Sequence, residues 1–134
     1  MNTLSFQRTF RLIEKAIGIA HRRHSVIAGN LSNLDTPGYR GKDINFKTAL
    51  EQALTREQTP GMSTTHPKHI NSSGRFPDKT EVTEEEGEWN GINYVNVDEA
   101  MVKLTENTLI YRSATEALMR KIVLMRDVIK ESSR

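Results

Sequence analysis

The sequence contains no cysteine. Disulfide frameworks, thiolate metal sites and cysteine nucleophiles are thereby excluded. Proline is scarce, at four in 134 residues, and aromatics reach only 6%. No apolar run approaches the roughly 20 residues of a membrane-spanning helix, so direct membrane insertion is not expected. The first residues lack the apolar core and small-residue cleavage site of a secretory signal. Any passage out of the cytoplasm is therefore expected to use a route without a cleaved signal peptide. Hydrophobic residues make up only 36% of the chain and crowd towards its two ends. That is too little for a large rounded core. It points to an elongated protein that takes part of its stability from partners.

What the ends do carry is heptad periodicity. Phe6, Phe10, Ile13, Ile17, Ala20, His24, Ile27, Leu31 and Leu34 alternate in steps of four and three, and so do Met101, Leu104, Thr108, Tyr111, Thr115, Leu118, Ile122, Met125 and Ile129. A 3.5-residue period marks a helix with a coiled-coil seam, which it cannot bury alone. The expected fold is mainly α: long N- and C-terminal helices paired antiparallel as a coiled-coil-like hairpin. Phe10, Ile13, Ile17, Ile27, Leu31, Leu104, Leu118, Ile122 and Met125 are the expected contacts of the pair. Thr108, Thr115 and His24 are polar seam positions of the kind that set register. Leu12, Ile19, Val26, Ile110, Ala117, Leu124 and Val128 lie off the seam. They either cover the middle of the chain or meet neighbouring subunits.

The single domain is expected in three parts: an N-terminal helix within residues 1–35, a turn, short helix and irregular segment over 36–97, and a C-terminal helix within 98–134. Ser5 and Asp98 suit the two N-caps. Thr36-Pro37-Gly38-Tyr39 ends the first helix, because proline disfavours helical geometry in the residue before it and glycine supplies the positive φ of a type II turn. Phe46, Ala49, Leu50, Ala53 and Leu54 outline the short helix. Asn90-Gly91, between Trp89 and Ile92, points to a short β-hairpin.

Charge is segregated. Residues 1–42 carry seven Lys/Arg against two acids, residues 43–99 five against eleven, and residues 100–134 seven against four. Basic ends and an acidic middle favour staggered contact between copies or an oppositely charged partner. An enzyme is not expected. His21 and His24 stand three apart on a helix, but no Asp, Glu or Cys at suitable spacing completes a metal set, and His66 and His69 are two ligands alone. No phosphate-binding glycine loop or nucleophile motif is present, so no catalytic, cofactor or metal site is expected. Arg8, Arg11, Lys15, Arg22 and Arg23 make the first helix basic, but no exposed aromatics interleave with them. Nucleic-acid or membrane-surface binding is therefore a lesser alternative. A generic coiled-coil adaptor is the stronger one.

One stretch is more specific than any of these. Ile27-Ala28-Gly29-Asn30-Leu31-Ser32-Asn33-Leu34-Asp35-Thr36-Pro37-Gly38-Tyr39-Arg40 strongly resembles the N-terminal signature of the bacterial flagellar axial proteins, the rod and hook group. In that signature an apolar helix ends in two asparagines three apart, followed by Asn/Asp-Thr-Pro-Gly-Tyr and a basic residue. Gly29 and Ser32 depart mildly from it. Thr65-His66-Pro67-Lys68-His69-Ile70 resembles a mid-chain element of the proximal-rod members. Val95 to Met101, then Asn107, Thr108, Leu109 and Tyr111, resembles their C-terminal signature rather than the Ala-x-x-Tyr-x-Ala-Asn of the sister rod protein FlgC. Asn90-Gly91-Ile92-Asn93 stands where the family has Asp-Gly-Asn, with Tyr94 inserted.

The resemblance implies a structural subunit whose terminal helices pair and pack side by side into a tube, the drive shaft between the membrane ring and the hook. It implies contacts with its own copies, FlgC, FlgF and the FliE adaptor, and export by the flagellar type III apparatus to a periplasm-spanning rod in the basal body. Asn30, Asn33, Asp35, Thr36, Pro37, Gly38, Tyr39, Asn107 and Tyr111 are the positions carried over as motif or assembly residues. For Asn30 and Asn33 local capping and bonding across subunits both stay open.

Overall fold

The computed structural model describes residues 3–58 and 80–132. The first helix, α1, spans Thr3–Ser32, and the last, α3, spans Val97–Ser132. Neither contains proline, and at about 1.5 Å per residue they are rods of about 45 and 54 Å. They run antiparallel. Lys121 lies over the ring of Phe6, with Nζ 4.4 Å from the ring centre. Asn107 bonds the carbonyl of Ala20, and Asn93, just before α3, bonds the carbonyl of Leu34, just after α1.

Both helix starts differ from expectation. Ser5 lies inside α1 rather than ahead of it. The cap of α3 is Asn96, not Asp98: its Oδ1 accepts from the amides of Asp98 at 3.0 Å and Glu99 at 3.3 Å. Asp98 and Glu99 then stand in the first turn, where negative charge suits the helix dipole.

After α1 the chain reverses through a type II turn. Gly38 has φ 71, and the Tyr39 amide donates to the Thr36 carbonyl at 3.3 Å. Strand β1, Lys42–Asp43, leads into α2, Phe46–Gln58, which is capped by Asn45 through the Thr48 amide at 3.1 Å. Strand β2, Thr83–Glu84, pairs antiparallel with β1, Lys42 opposite Glu84 and Asp43 opposite Thr83. The strand pair is thus long-range, not the local hairpin expected at Trp89–Ile92. Asn90-Gly91 does turn, with Gly91 at φ 101 and the Asn90 amide bonded to the Asn93 carbonyl. No strand flanks it: Asn90 Oδ1 accepts from the Ile92 and Asn93 amides and its Nδ2 donates to the Val95 carbonyl.

The core has two faces. Ile19 is fully buried with Ile44, Ala49 and Ala53, and Val26, Phe46 and Leu50 pack against that cluster. On its other side α1 turns Ala20, Arg23 and Ile27 inward, all buried. Ala20 and Arg23 meet Asn107 and Glu106 of α3 there. Ile19 and Val26 therefore cover the middle of the chain rather than a neighbouring subunit.

Candidate assembly surface

Where the chain leaves α1 and re-enters α3, asparagines take the place of regular pairing. Asn30 is buried at the end of α1. Its Nδ2 donates to the Lys42 carbonyl at 2.7 Å and its Oδ1 accepts from the Lys42 amide at 3.0 Å. A primary amide is the one neutral side-chain group that matches a peptide unit in both senses. Asn30 thus completes the free edge of β1. Asn33 Nδ2 donates to the Gly29 carbonyl at 2.8 Å and Oδ1 accepts from the Thr36 hydroxyl at 3.2 Å.

Across from them Asn93 is fully buried. Its Nδ2 reaches the Asn33 and Leu34 carbonyls, and its Oδ1 accepts from the Val95 amide at 2.9 Å. Backbone bonds finish this clasp: Gly38 to the Ile92 carbonyl at 2.8 Å, and Tyr94 to the Tyr39 carbonyl at 2.9 Å. Arg40 lies over the Tyr94 ring at 4.6 Å, and Trp89 meets the same ring with centroids 5.2 Å apart.

Two ionic links tie the strand pair to the helices. Arg23 Nε and Nη2 grip both oxygens of Asp43 at 2.8 and 2.9 Å, and Nη1 stands 3.4 Å from Glu106. The hydrogen bond to Asp43 raises the Arg23 pKa against burial. For Asp43, burial alone would push the carboxyl up. The bonds from Arg23 and the Ile44 amide outweigh it and hold the pKa below the usual carboxylate range. Lys103 reaches Glu85 and, at 2.7 Å, Glu99. Burial lowers its affinity for the proton, and the two carboxylates more than restore it.

No protein-family model matches the chain. It is 31% identical over 120 residues to the flagellar basal body rod protein FlgB of Aeromonas hydrophila, covering 89% of this chain and 90% of that one. The FlgB of Aquifex aeolicus is 28% identical over 123 residues, at 92% and 94% coverage. That of Bacillus subtilis is 28% identical over 126 residues, at 92% and 95%. The chain belongs to the FlgB family. It is a structural protein of the flagellar basal body rod.

Within this FlgB chain the motif residues fall into two groups. Asn30, Asn33 and Tyr39 are turned inward at the clasp, where the Tyr39 hydroxyl bonds Asn30 Oδ1 at 3.4 Å. Asp35, Thr36, Pro37 and Gly38 form the exposed turn outside it. Asn107 is buried at 1% exposure between the long helices, and Tyr111, one turn on, is largely exposed. The Thr65–Ile70 element, with His66 and His69, lies outside the described residues. His21 and His24 are exposed, and among the described residues no cluster of His, Asp and Glu is arranged to hold a metal.

The seam needs correction at both ends. Phe10, Ile13, Ile17, Leu31, Leu104 and Leu118 are half-buried and Ile27 is buried. Ile122 and Met125, together with Met101 and Ile129, are exposed. At the far end Lys121 lies over Phe6. A straight helix also drifts against a strict heptad, so Ala100, Asn107 and Ala114 turn inward where Met101, Thr108 and Tyr111 were expected to lead. Arg23 likewise takes the place of His24. Thr108 and Thr115 do not bond across the pair; their hydroxyls return to the Leu104 and Tyr111 carbonyls at 2.8 Å. Asp43 was not singled out from the sequence; Arg23 stood out only as one of the basic residues of the first helix, and Asn93 and Asn96 only within stretches that resemble the family's. For Arg23 the signal was its spacing, three after Ala20 and four before Ile27.

Proposed function

We propose that this chain is one domain that enters the proximal rod through its terminal helices and forms part of the drive shaft carrying torque from the membrane ring to the hook. The observation that carries this is the apolar surface of the C-terminal half of α3, on the seam positions and beside them. Met119, Ile122, Leu124, Val128 and Ile129 are exposed, several by 60% or more. Soluble monomers rarely expose so many large apolar side chains along one helix segment, and such surfaces mark protein interfaces. A tube of side-by-side helix pairs buries it and gains stability with each neighbour. The neighbours are its own copies, FlgC, FlgF and the FliE adaptor. The location is the periplasm-spanning part of the basal body, reached through the flagellar export apparatus without a cleaved signal, and the role is structural rather than enzymatic. No described helix is long and apolar enough to cross a membrane.

Of the motif residues, exposed Asp35 and Tyr111 are placed to meet neighbours, while buried Asn30 and Asn107 shape the bar. Deleting the gene in its flagellated host and imaging basal bodies tests the reading. Loss of the rod and of swimming, restored by the intact gene but not by I122D/L124D, is the expected result. An intact rod in the deletion strain overturns it. A stable small closed oligomer of the purified chain would favour an adaptor instead.

A further inference from the structure

We infer that the open edge of β2 is a strand-addition site for an extended, basic segment of a partner protein, one that carries lysine or arginine at alternate positions. The surface lies in the middle of the chain, away from the C-terminal half of α3. It goes beyond the rod-subunit reading and does not rest on it.

The ladder fixes which way the backbone faces. Lys42 stands opposite Glu84, and the next rung is the Glu85 amide on the Gly41 carbonyl at 2.8 Å. Rungs alternate in an antiparallel pair, so Lys42 and Glu84 turn their own amides and carbonyls away from each other. For Lys42 these outward groups are the two that Asn30 takes. Glu84 turns the matching amide and carbonyl to the opposite edge, where no described strand or side chain takes them. Thr83 and Glu84 are both exposed. The strand pair is thus sealed along β1 and open along β2. An open edge of this kind is a template for a further strand.

The side chains select the partner. Residues 81–88 hold five glutamates and no basic residue. Glu85 is answered by Lys103. Glu81, Glu84, Glu86 and Glu88 are exposed and carry no ion pair among the described residues. Side chains two apart in a strand share a face at a spacing of about 7 Å, and Val82, Glu84 and Glu86 stand two apart. A strand laid on this edge meets carboxylates at alternate positions and gains from a lysine or arginine opposite each. The same carboxylates disfavour a second copy, whose own β2 edge would bring like charges face to face. Further along, Glu86 and Glu88 line a groove with half-exposed Trp89 and with Val97 and Asp98 at the start of α3. There the incoming segment finds an apolar wall and further negative charge.

The test adds the peptide acetyl-Thr-Lys-Val-Lys-Val-Lys-Thr-amide to the purified chain and follows hydrogen exchange at the Glu84 amide by NMR. That amide exchanges freely in the chain alone and about tenfold more slowly with the peptide bound. Trp89 is the sole tryptophan, so its fluorescence reports the titration. N-methylation of one alternate set of the peptide's amides abolishes binding, and methylation of the other set leaves it. Binding weakens about tenfold in E84K/E86K, which instead takes the peptide with glutamate in place of lysine. It also weakens in about 1 M salt, where the screening length falls to about 3 Å. A Glu84 amide already protected in the chain alone overturns the inference, as does one whose exchange the peptide does not move. Equal binding of both methylated peptides, which is charge attraction without a strand, overturns it too. A dimer that protects Glu84 without peptide makes a second copy the occupant and overturns it as well. The peptide arms use the parent chain, so they decide the matter even where E84K/E86K fails to fold.

Discussion

Asn107 Nδ2 donates to the carbonyl of Ala20 at 2.8 Å, a side-chain bond that crosses between residues 87 apart in sequence. Its Oδ1 is buried with no hydrogen-bond partner in the described structure. A polar group held this way lowers stability relative to an apolar one but fixes which residues face each other. N107L should therefore melt at the same temperature as the parent or higher, while spin labels on the two helices report a broadened distance distribution. N107A, which removes the bond and leaves a void, should lose about 1–3 kcal/mol in urea unfolding. A sharp, unchanged distance distribution in N107L would refute the register role.

The Arg23–Asp43 pair predicts acid sensitivity. The carboxyl is held below its ordinary value, so its stabilisation is fully present above about pH 3.9, the unfolded value. It is lost as pH falls through the lower folded value. D43N should flatten the fall of the unfolding free energy below about pH 4. R23A leaves a buried carboxylate without its partner and should cost about 3–5 kcal/mol near neutrality. Titration of chemical unfolding against pH in the three proteins measures both effects.

Two glycines carry geometric demands of different kinds. At Gly38 the demand is conformational: φ is 71, with open space where a Cβ would stand. G38A should cost about 1–2 kcal/mol, and G38N less, since asparagine tolerates left-handed backbone. At Gly87 the demand is spatial: a Cβ would sit 2.1 Å from the Tyr94 carbonyl oxygen. G87A must displace the 85–89 segment. It should shift the Trp89 emission maximum and the near-ultraviolet dichroism of the Trp89–Tyr94 pair, whereas G38A should leave those signals alone.

Lys103 holds Glu85 beside Gly41, whose carbonyl accepts the Glu85 amide at 2.8 Å. Its pKa is raised, so this stabilisation is present below about pH 10.4 and lost as pH rises through the higher folded value. K103M should speed hydrogen exchange at the Glu85 amide at least tenfold, with the centre of α3 unaffected.

How far the sequence alone reached depends on the range of each contact. The Pro37-Gly38 turn was legible because its cause is local: a fixed φ followed by a permitted positive one. The two long helices were legible from periodicity, and the short one from Phe46 to Leu54, though it runs on to Gln58. Asn30 was visible as a motif residue, but its task was not, since it depends on where Lys42 falls after the turn. The pairing of Lys42 with Glu84 was likewise hidden, because strands of two residues leave no alternation to read. Ile19 was left open between covering the middle of the chain and meeting a neighbour, because a two-helix pair alone gives it no place. Once α2 folds back, α1 has two partners and needs two buried faces. His24 and Arg23 traded places because a heptad template assigns one residue per turn at fixed spacing, while the real seam admits an arginine whose charge Asp43 answers.

The clasp of Asn30, Asn93, Gly38 and Tyr94 lies at one extremity of the paired helices, and Lys121 over Phe6 marks the other. Force that parts α1 and α3 from the Phe6 end meets one turn at a time and peels them apart in succession. The same force applied sideways along the shaft loads every rung together. The bar is easy to unravel from the Phe6 end and hard to shear.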